Sequence, residues 1–295
     1  MKESEKKILK REYIYRNIDK TFNRYEGIFL KKKIGQKDLS KLSNCIIDFI
    51  YKSVVIFNPK KKIKKKNFVN LNIDLITKLP NITPGGQLRG FKELIKEYNQ
   101  IHNELLRVLK KIKLFNDLKR LAWFSVRVKK GVDTNDYKKR TYSTSKKHSD
   151  MWAGEKNHAK IILMLVGDIK NNSVNFYKPI NFAKDTFSFR KKTFDEGLKK
   201  IKSIKYLGKA QKNELCLFDQ YCLHKTYLSK KAKPRISLDL RVDISGNKIY
   251  NNKLSQVISE NMILYKKKDW EKLNYKKIKY HNKSYKELAK LFINS

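Results

Sequence analysis

Two histidines and one aspartate have the residue types and spacing of a metal-binding set. His148 and Asp150 are separated by one residue, and His224 lies far along the chain, followed eleven positions later by Arg235. In an extended segment side chains alternate, so those of His148 and Asp150 would project to the same side. Two histidines and a carboxylate with open coordination positions are the usual protein ligands of a non-haem Fe(II) that activates oxygen. An arginine beside such a site could bind a dicarboxylate cosubstrate through parallel hydrogen bonds.

Each part of this pattern also has an ordinary structural interpretation. A His-x-Asp sequence occurs by chance in surface turns, and a single histidine such as His224 is commonly a core residue. The combination favours metal binding, because the chain has five histidines and two of them stand in the required order before a strand-borne arginine. His158 is near enough to His148 to serve as an alternative ligand, whereas His102 and His281 are expected to be structural or surface residues.

The strand predicted after Pro234 carries the arginine on a polar face. Arg235, Ser237, Asp239 and Arg241 alternate with Ile236, Leu238, Leu240 and Val242. A half-exposed strand would alternate in the same way, but a solvent-exposed face in this lysine-rich chain would be expected to carry Lys. The polar residues therefore indicate the wall of a cavity, where Arg235 and Ser237 could bind one carboxylate together. Asp239 would pair with Arg241 or with another neighbour.

The chain is strongly basic, with a formal net charge of +42 from 70 Lys and Arg against 28 Asp and Glu. Such charge favours phosphate binding and leaves a non-catalytic nucleic-acid-binding protein as an alternative. However, the excess is mostly lysine spread from end to end, which is typical of a compositional bias at tolerant surface positions. No helix-turn-helix, RNP or zinc-finger spacing is present in the sequence. We therefore expect no specific nucleic-acid partner.

Length and composition indicate a folded protein of a reducing compartment. The 295 residues can bury a large core, and 40% of them are hydrophobic, as in globular chains. Cys45, Cys216 and Cys222 form no CxxC pair, which argues against a disulfide framework. The N-terminus lacks the apolar core of a signal peptide, and the longest apolar run, residues 46–57, is too short to span a bilayer. We expect a cytoplasmic protein without membrane insertion and leave its oligomeric state open.

The elements expected to position the site form a β-rich core flanked by helices. Short strands separated by polar turns, typical of a sandwich or barrel, are predicted at residues 122–128, 161–166, 173–177, 186–189, 215–218 and 235–244. Three- and four-residue spacing predicts one or two helices over residues 88–121, packed outside the sheet. Residues 1–87 are expected to be a basic, mostly helical region with a buried helix or strand at 45–57. The core would occupy residues 122–245, and residues 246–295 a basic helical extension.

The combined motif resembles that of the Fe(II)/2-oxoglutarate-dependent dioxygenases, over roughly residues 122–245. Their pattern is His-x-Asp, then a distant His, then an Arg about ten residues later in Arg-x-Ser. It is matched here by His148, Asp150, His224, Arg235 and Ser237. More narrowly, His-x-Asp-x-Trp-x-Gly-Glu and the later His-x-Thr resemble a phytanoyl-CoA-hydroxylase-like group, found among carbohydrate and aminoglycoside biosynthesis genes.

The resemblance implies an α+β fold built on a double-stranded β-helix, a jelly-roll, cupin-like barrel with the metal at one mouth and peripheral helices. It implies Fe(II) bound by His148, Asp150 and His224, and 2-oxoglutarate bound by the metal together with Arg235 and Ser237. Molecular oxygen would be the oxidant. The expected reaction is oxidation, most simply hydroxylation, of a small-molecule substrate such as a sugar-linked metabolite, with succinate as coproduct.

Three further residues are candidates for the substrate side of the cavity. Trp152 and Glu155 follow the ligand segment directly, and Arg127 lies on the strand before it as a second cavity cation. For Trp152 and Glu155 a structural role is an equal alternative. A jelly-roll enzyme that uses another metal, such as a zinc hydrolase, is the remaining alternative for the whole chain.

Overall fold

The fold is given by a computed structural model of the chain. It describes residues 1–16, 24–25, 28–65, 73–82, 85–88, 92–112, 124–131, 142–154, 158–188, 190–245 and 248–250. Within these ranges the strands are β1 (Arg24–Tyr25), β2 (Phe29–Lys33), β3 (Gln87–Leu88), β4 (Phe124–Lys129), β5 (His158–Gly167), β6 (Asn172–Phe182), β7 (Ile201–Lys209), β8 (Glu214–Asp219), β9 (Leu223–Leu228), β10 (Arg235–Ser245) and β11 (Lys248–Tyr250).

These strands form two antiparallel sheets. The larger sheet has the spatial order β1-β2-β8-β5-β10-β4-β3, with β11 paired to β10. The smaller sheet has the order β7-β6-β9. β5, β10 and β4 therefore lie side by side in the larger sheet, with Ser237 opposite Met164 on one side and Arg127 on the other.

Two of the five described helices cover one face of the larger sheet. The helices are α1 (Glu3–Arg16), α2 (Gln36–Phe57), α3 (Ile73–Thr77), α4 (Ile95–Lys111) and α5 (Phe194–Lys199), with 3₁₀ turns at Lys92–Leu94 and Asp150–Ala153. α4 buries Ile101 and Leu105 at helical spacing in the same apolar cluster as Leu163 of β5 and Leu238 of β10. α2 packs against α4 in that cluster. This first core, called the outer core below, therefore lies between the larger sheet and the two helices.

A second core lies on the other face of the larger sheet, towards the smaller sheet. Ile162 and Met164 of β5 belong to it, together with Phe176 of β6 and Trp152. Successive side chains of β5 thus alternate between the two cores, as a central strand requires. On β10 the apolar residues belong to the outer core, so Arg235, Ser237 and Asp239 lie on the inner face, and all three are buried.

The fold agrees with the sequence-based expectations in its class and in most strand positions. An α+β chain with antiparallel sheets and packed helices is confirmed, and strands are present where five of the six were predicted. The pairings among the described strands do not join the two sheets, so a closed double-stranded β-helix stays a prediction. The domain boundaries likewise stay predictions. β1 and β2, which lie within residues 1–87, pair with the larger sheet through β8.

The strand predicted at residues 186–189 is wrong for the part that the structure describes. Residues 184–188 form a turn after β6, in which the Thr186 amide donates to the Ala183 carbonyl at 3.1 Å. The side chain of Phe187 packs against Trp152 in the second core. The buried element expected at residues 45–57 is the second half of helix α2.

The structure also bears on the cysteines and on membrane-spanning helices. Cys45, Cys216 and Cys222 are free thiols. No helix in the described ranges is long and apolar enough to cross a membrane. Of the extension at residues 246–295, only the short strand β11 lies within the described residues.

Candidate metal centre

The two predicted histidine ligands meet through their backbones. The His148 amide donates to the His224 carbonyl at 3.0 Å, and the His224 amide donates to the His148 carbonyl at 2.9 Å. Residues directly opposite in an antiparallel pair place their side chains on the same face. The segment before His148 follows the same edge of β9, since the Thr226 amide donates to the Thr144 carbonyl at 2.7 Å. This pairing brings together two imidazoles that are far apart in the sequence.

Asp150 is placed by the turn that follows His148. Ser149 is extended and fully buried, and its hydroxyl donates to the Gln220 carbonyl at 2.5 Å while accepting from the Met151 amide. The extended residue between them keeps the side chains of His148 and Asp150 on one side, as the His-x-Asp spacing predicted. Asp150 Oδ1 lies 3.8 Å from His148 Nε2 and 3.5 Å from His224 Nε2.

The three side chains form a compact set of donor atoms. One ligand atom from each of His148, Asp150 and His224 lies within 4.8 Å of the other two. In the described part of the chain, this is the one group of histidine, cysteine and carboxylate side chains that meets this distance. Two neutral imidazoles and one carboxylate on a shared face fit a divalent transition-metal ion that retains open positions.

The hydrogen bonds of the imidazoles select which nitrogen can bind a metal. His148 Nδ1 lies 2.8 Å from the Lys146 carbonyl oxygen, and His224 Nδ1 lies 3.5 Å from the Cys222 carbonyl oxygen. A carbonyl oxygen only accepts, so the proton of His148 resides on Nδ1 and Nε2 keeps its lone pair. Outer contacts of this kind orient metal-binding histidines in proteins.

Burial keeps both imidazoles in the form that binds a metal. Desolvation lowers the pKa of His148 well below its ordinary value, and the neighbouring His224 lowers it further, against the opposing effect of Asp150. The pKa of His224 is also lowered by burial. Phe194 of α5 stacks on the His148 ring with centroids 4.2 Å apart and planes at 15°, which excludes water from that side. Both rings are therefore neutral at physiological pH.

The predicted cosubstrate residues Arg235 and Ser237 are in direct contact. Arg235 is 1% exposed, and its Nη1 donates to Ser237 Oγ at 2.9 Å. Its Nε donates to Asn172 Oδ1 at 2.9 Å, and Nη1 also lies 3.1 Å from Met164 Sδ. These contacts hold the guanidinium plane on the inner face of the larger sheet.

Arg127, the predicted second cavity cation, lies on the same inner face and is ion-paired. Its Nε donates to Asp239 Oδ2 at 2.6 Å, and its Nη1 donates to the Gly85 carbonyl at 3.2 Å. Burial raises the pKa of Asp239, but the charges of Arg127 and Lys160 outweigh it and lower the pKa overall. The expectation that Asp239 pairs with a neighbour is met by Arg127. The side chain of Arg241 lies outside the described residues.

Trp152 is packed as a core residue. It is fully buried, and its indole Nε1 donates to the Thr186 carbonyl at 2.9 Å. Its ring stacks against Phe187 at 16°, and the backbone of Gly197 lies directly against it. This packing favours the structural alternative for Trp152. Glu155 and the side chain of His158 lie outside the described residues.

Two residues at this site had not been singled out from the sequence. Lys160 Nζ donates to Asp150 Oδ2 at 2.6 Å, and Asn172 accepts from Arg235. Lys160 stands at the start of the apolar run of β5 and looks like one more of the chain's many lysines. The sequence offers one signal of its location: Lys160 stands two residues before Ile162, so its side chain points to the same inner face of β5.

The chain has structural neighbours among solved proteins at low sequence identity. No family model matches the chain, and no curated protein matches it. Among solved structures, an N-substituted L-amino acid dioxygenase from Burkholderia ambifaria AMMD is similar at 11% identity and a TM-score of 0.40, covering 80% of this chain and 89% of that one. Its complex with alpha-KG gives 10% identity, a TM-score of 0.39 and coverages of 80% and 88%. AviO1 from Streptomyces viridochromogenes Tue57 gives 7% identity, a TM-score of 0.42 and coverages of 74% and 90%.

Proposed function

We propose that the protein is a non-haem Fe(II)- and 2-oxoglutarate-dependent dioxygenase that oxidises a small molecule. The observation that carries this proposal is the convergence of His148, Asp150 and His224, whose ligand atoms lie within 4.8 Å of one another on a buried face. With Fe(II) and 2-oxoglutarate bound, the site would supply the oxidation of a substrate C–H bond, while 2-oxoglutarate and oxygen are converted to succinate and carbon dioxide.

The protein's own residues have distinct tasks in this proposal. His148 and His224, whose backbones are hydrogen-bonded to each other, would each offer Nε2, and Asp150 would offer Oδ1. Arg235 and Ser237 would together bind the distal carboxylate of 2-oxoglutarate, because a guanidinium fork beside a hydroxyl matches a carboxylate. Both are buried, so this recognition would take place away from water.

The finer features of the proposal follow the sequence resemblance. We infer a double-stranded β-helix that closes around the inner face, a phytanoyl-CoA-hydroxylase-like relationship, and a sugar-linked metabolite as the type of substrate. Arg127 is the candidate for contact with the substrate. It lies on the inner face of the larger sheet, on β4, which is separated from β5 by β10 alone. The fold, the relationship and the type of substrate rest on the resemblance of the motif. The role of Arg127 rests on its position beside the polar face of β10. A cytoplasmic location follows from the composition.

The proposal predicts a spectroscopic signature. Under anaerobic conditions, Fe(II) and 2-oxoglutarate added to the protein should give a weak visible charge-transfer band. His148→Ala should abolish the band, because it removes one of three ligands. Absence of the band in the wild-type protein, or its survival in His148→Ala, would contradict the proposal.

Variants of Arg235 test the cosubstrate site separately from the metal site. Arg235→Ala should weaken 2-oxoglutarate binding by about 100-fold while leaving Fe(II) binding nearly unchanged, since a charge-assisted pair is worth about 1.5–3 kcal/mol. Arg235→Lys should be intermediate because it keeps the charge and loses the planar fork. Arg107→Ala is a control for loss of an arginine elsewhere, since Arg107 pairs with Asp38 and Glu104 on the helical side of the molecule. Equal loss of metal and cosubstrate in Arg235→Ala would make Arg235 a structural residue.

A zinc hydrolase remains the competing function for the same ligands. Metal analysis of anaerobically purified protein, combined with oxygen uptake that depends on 2-oxoglutarate, distinguishes the two. Oxygen uptake with iron favours the dioxygenase. Zinc content without oxygen uptake favours the hydrolase.

A further inference from the structure

Lys160 contacts the proposed metal ligand Asp150 from the inner face of β5. Its Nζ lies 2.6 Å from Asp150 Oδ2, and its side chain is 11% exposed. Lysine is seldom buried to this degree unless it is paired. Lys160 lies opposite Phe218 of β8 in the middle of the larger sheet, so its backbone position is fixed on both sides.

The two oxygens of Asp150 have different surroundings. Oδ1 faces both imidazoles, at 3.8 Å from His148 Nε2 and 3.5 Å from His224 Nε2. Oδ2 accepts the hydrogen bond from Lys160. A short contact between an ammonium and a carboxylate is a charge-assisted hydrogen bond, about twice as strong as a neutral one. Rotation of the carboxylate that exchanged the two oxygens would break this bond.

The other nearby carboxylate has a cation of its own. Asp239 lies on β10, next to β5, and its Oδ2 accepts a hydrogen bond from Arg127 Nε at 2.6 Å. Arg127 and Asp239 therefore form one pair on the inner face, and Lys160 and Asp150 form a second. The charge of Lys160 also acts on Asp239, but its hydrogen bond goes to Asp150.

We propose that Lys160 is a positioning residue that occupies Asp150 Oδ2, so that the carboxylate offers a bound metal ion Oδ1 alone. This inference rests on the proposed metal site. Carboxylates bind metal ions through one oxygen or through both. If Asp150 used both, it would take a coordination position that a two-oxygen cosubstrate such as 2-oxoglutarate needs. Lys160 thus keeps that position open.

The inference makes a specific prediction for variants of Lys160 loaded with Co(II) as a probe for Fe(II). Lys160→Met should still bind one Co(II) ion, but its visible absorption spectrum should change because Asp150 gains a second contact with the ion. Its affinity for 2-oxoglutarate should fall by about 10- to 100-fold, the range over which loss of an outer partner of a ligand usually lowers metal affinity or activity. Lys160→Arg, which keeps a cation on a long side chain, should restore the wild-type spectrum and bring the 2-oxoglutarate affinity to within about threefold of wild type.

Controls separate this effect from a general loss of structure. Lys31→Met is matched, because Lys31 forms a similarly buried ion pair with Glu214 at 3.0 Å on the same sheet and touches none of the three ligands. Its Co(II) spectrum should equal that of the wild type. If Lys160→Met does not fold, as judged by circular dichroism, Lys160→Gln takes its place, since the amide is uncharged and shorter than the ammonium side chain.

The outcomes distinguish this inference from the proposed function. If the wild-type protein binds Co(II) and 2-oxoglutarate and the uncharged Lys160 variant has the same spectrum and affinity, the role of Lys160 is refuted and the function stands. The same spectral change in Lys31→Met would also refute it. If the wild-type protein binds no Co(II), or binds it with no spectral response to 2-oxoglutarate, the proposed function itself fails.

Discussion

At the scale of single residues, two neutral imidazoles buried side by side make the metal-free protein sensitive to acid. In the unfolded chain both histidines would take up protons near their ordinary pKa of 6.5, whereas burial lowers the pKa of both in the folded protein. Below pH 6.5 the unfolded state therefore binds more protons than the folded state. The contribution of the two neutral imidazoles to the stability of the folded protein is therefore complete above pH 6.5 and is lost as the pH falls below it.

We predict that the free energy of unfolding of the metal-free protein decreases between pH 6.5 and pH 5. Each histidine should contribute up to about 1.4 kcal/mol per pH unit in this window. Chemical denaturation at several pH values measures the slope, and the double variant His148→Gln/His224→Gln should flatten it. The carboxyl groups with lowered pKa, such as Asp168, act near and below pH 3.8 and do not interfere. Equal slopes in the two proteins would show that the imidazoles carry no such linkage.

Single residues also show what the sequence could predict at the site. The sequence predicted that His148, Asp150 and His224 would lie together and that Arg235 would lie beside Ser237, because histidine and arginine are scarce in this lysine-rich chain and stand at fixed spacings from the other residues. Lys160 was not identifiable, because its type is the commonest background of this sequence and its importance depends on which carboxylate it faces. The structural role of Trp152 depends on its contact with Gly197, which is distant in the sequence.

At the scale of elements, the short helix α5 links the candidate metal centre to the second core. Phe194 at its start stacks on His148, and Gly197 in its next turn lies against Trp152. A Cβ atom at position 197 would lie 2.3 Å from Trp152 Cδ2, far closer than atoms approach in proteins. Glycine is thus required here for close packing, although it weakens a helix in isolation.

We predict that Gly197→Ala destabilises the protein by about 1–3 kcal/mol, because overpacking outweighs the gain in helix propensity. Displacement of α5 should also move Phe194 away from His148 and weaken Co(II) binding. Denaturant unfolding and Co(II) titration measure the two effects. Gly35→Ala is the control, since a Cβ there meets only Asp38 Oδ2 at an ordinary 3.5 Å and should cost less than about 1 kcal/mol. An unchanged or higher stability in Gly197→Ala would contradict the packing argument.

Elements differ in how well the sequence predicts them. β5, β8 and β10 were predictable, since their apolar residues are continuous or strictly alternating. β7 and β9 were missed because lysines interrupt their alternation, and no residue of β7 is buried. β9 carries His224, so its pairing with residue 148 came from the structure alone. Long-range pairing of this kind has no local signal in the chain.

At the scale of the whole molecule, the charges divide into a surface excess and a small set of buried pairs. Lysines such as Lys60, Lys61 and Lys62 are exposed, whereas Arg235 and Asp239 are buried on the inner face. The surface excess should attract any polyanion without regard to its sequence. The buried set should determine the chemistry.

This division predicts that nucleic-acid binding is weak, non-specific and independent of the candidate metal centre. Duplex DNA should bind with a dissociation constant of about 10⁻⁴–10⁻⁶ M at physiological salt, and the affinity should fall steeply as salt rises. Arg235→Ala should leave both affinity and salt slope unchanged, because a residue that is 1% exposed cannot neutralise a phosphate on the surface. Fluorescence anisotropy with labelled duplexes of unrelated sequence measures both quantities, and the same variant should bind 2-oxoglutarate more weakly than the wild type. Sub-micromolar affinity for one sequence at physiological salt would instead make nucleic-acid recognition the function of the molecule.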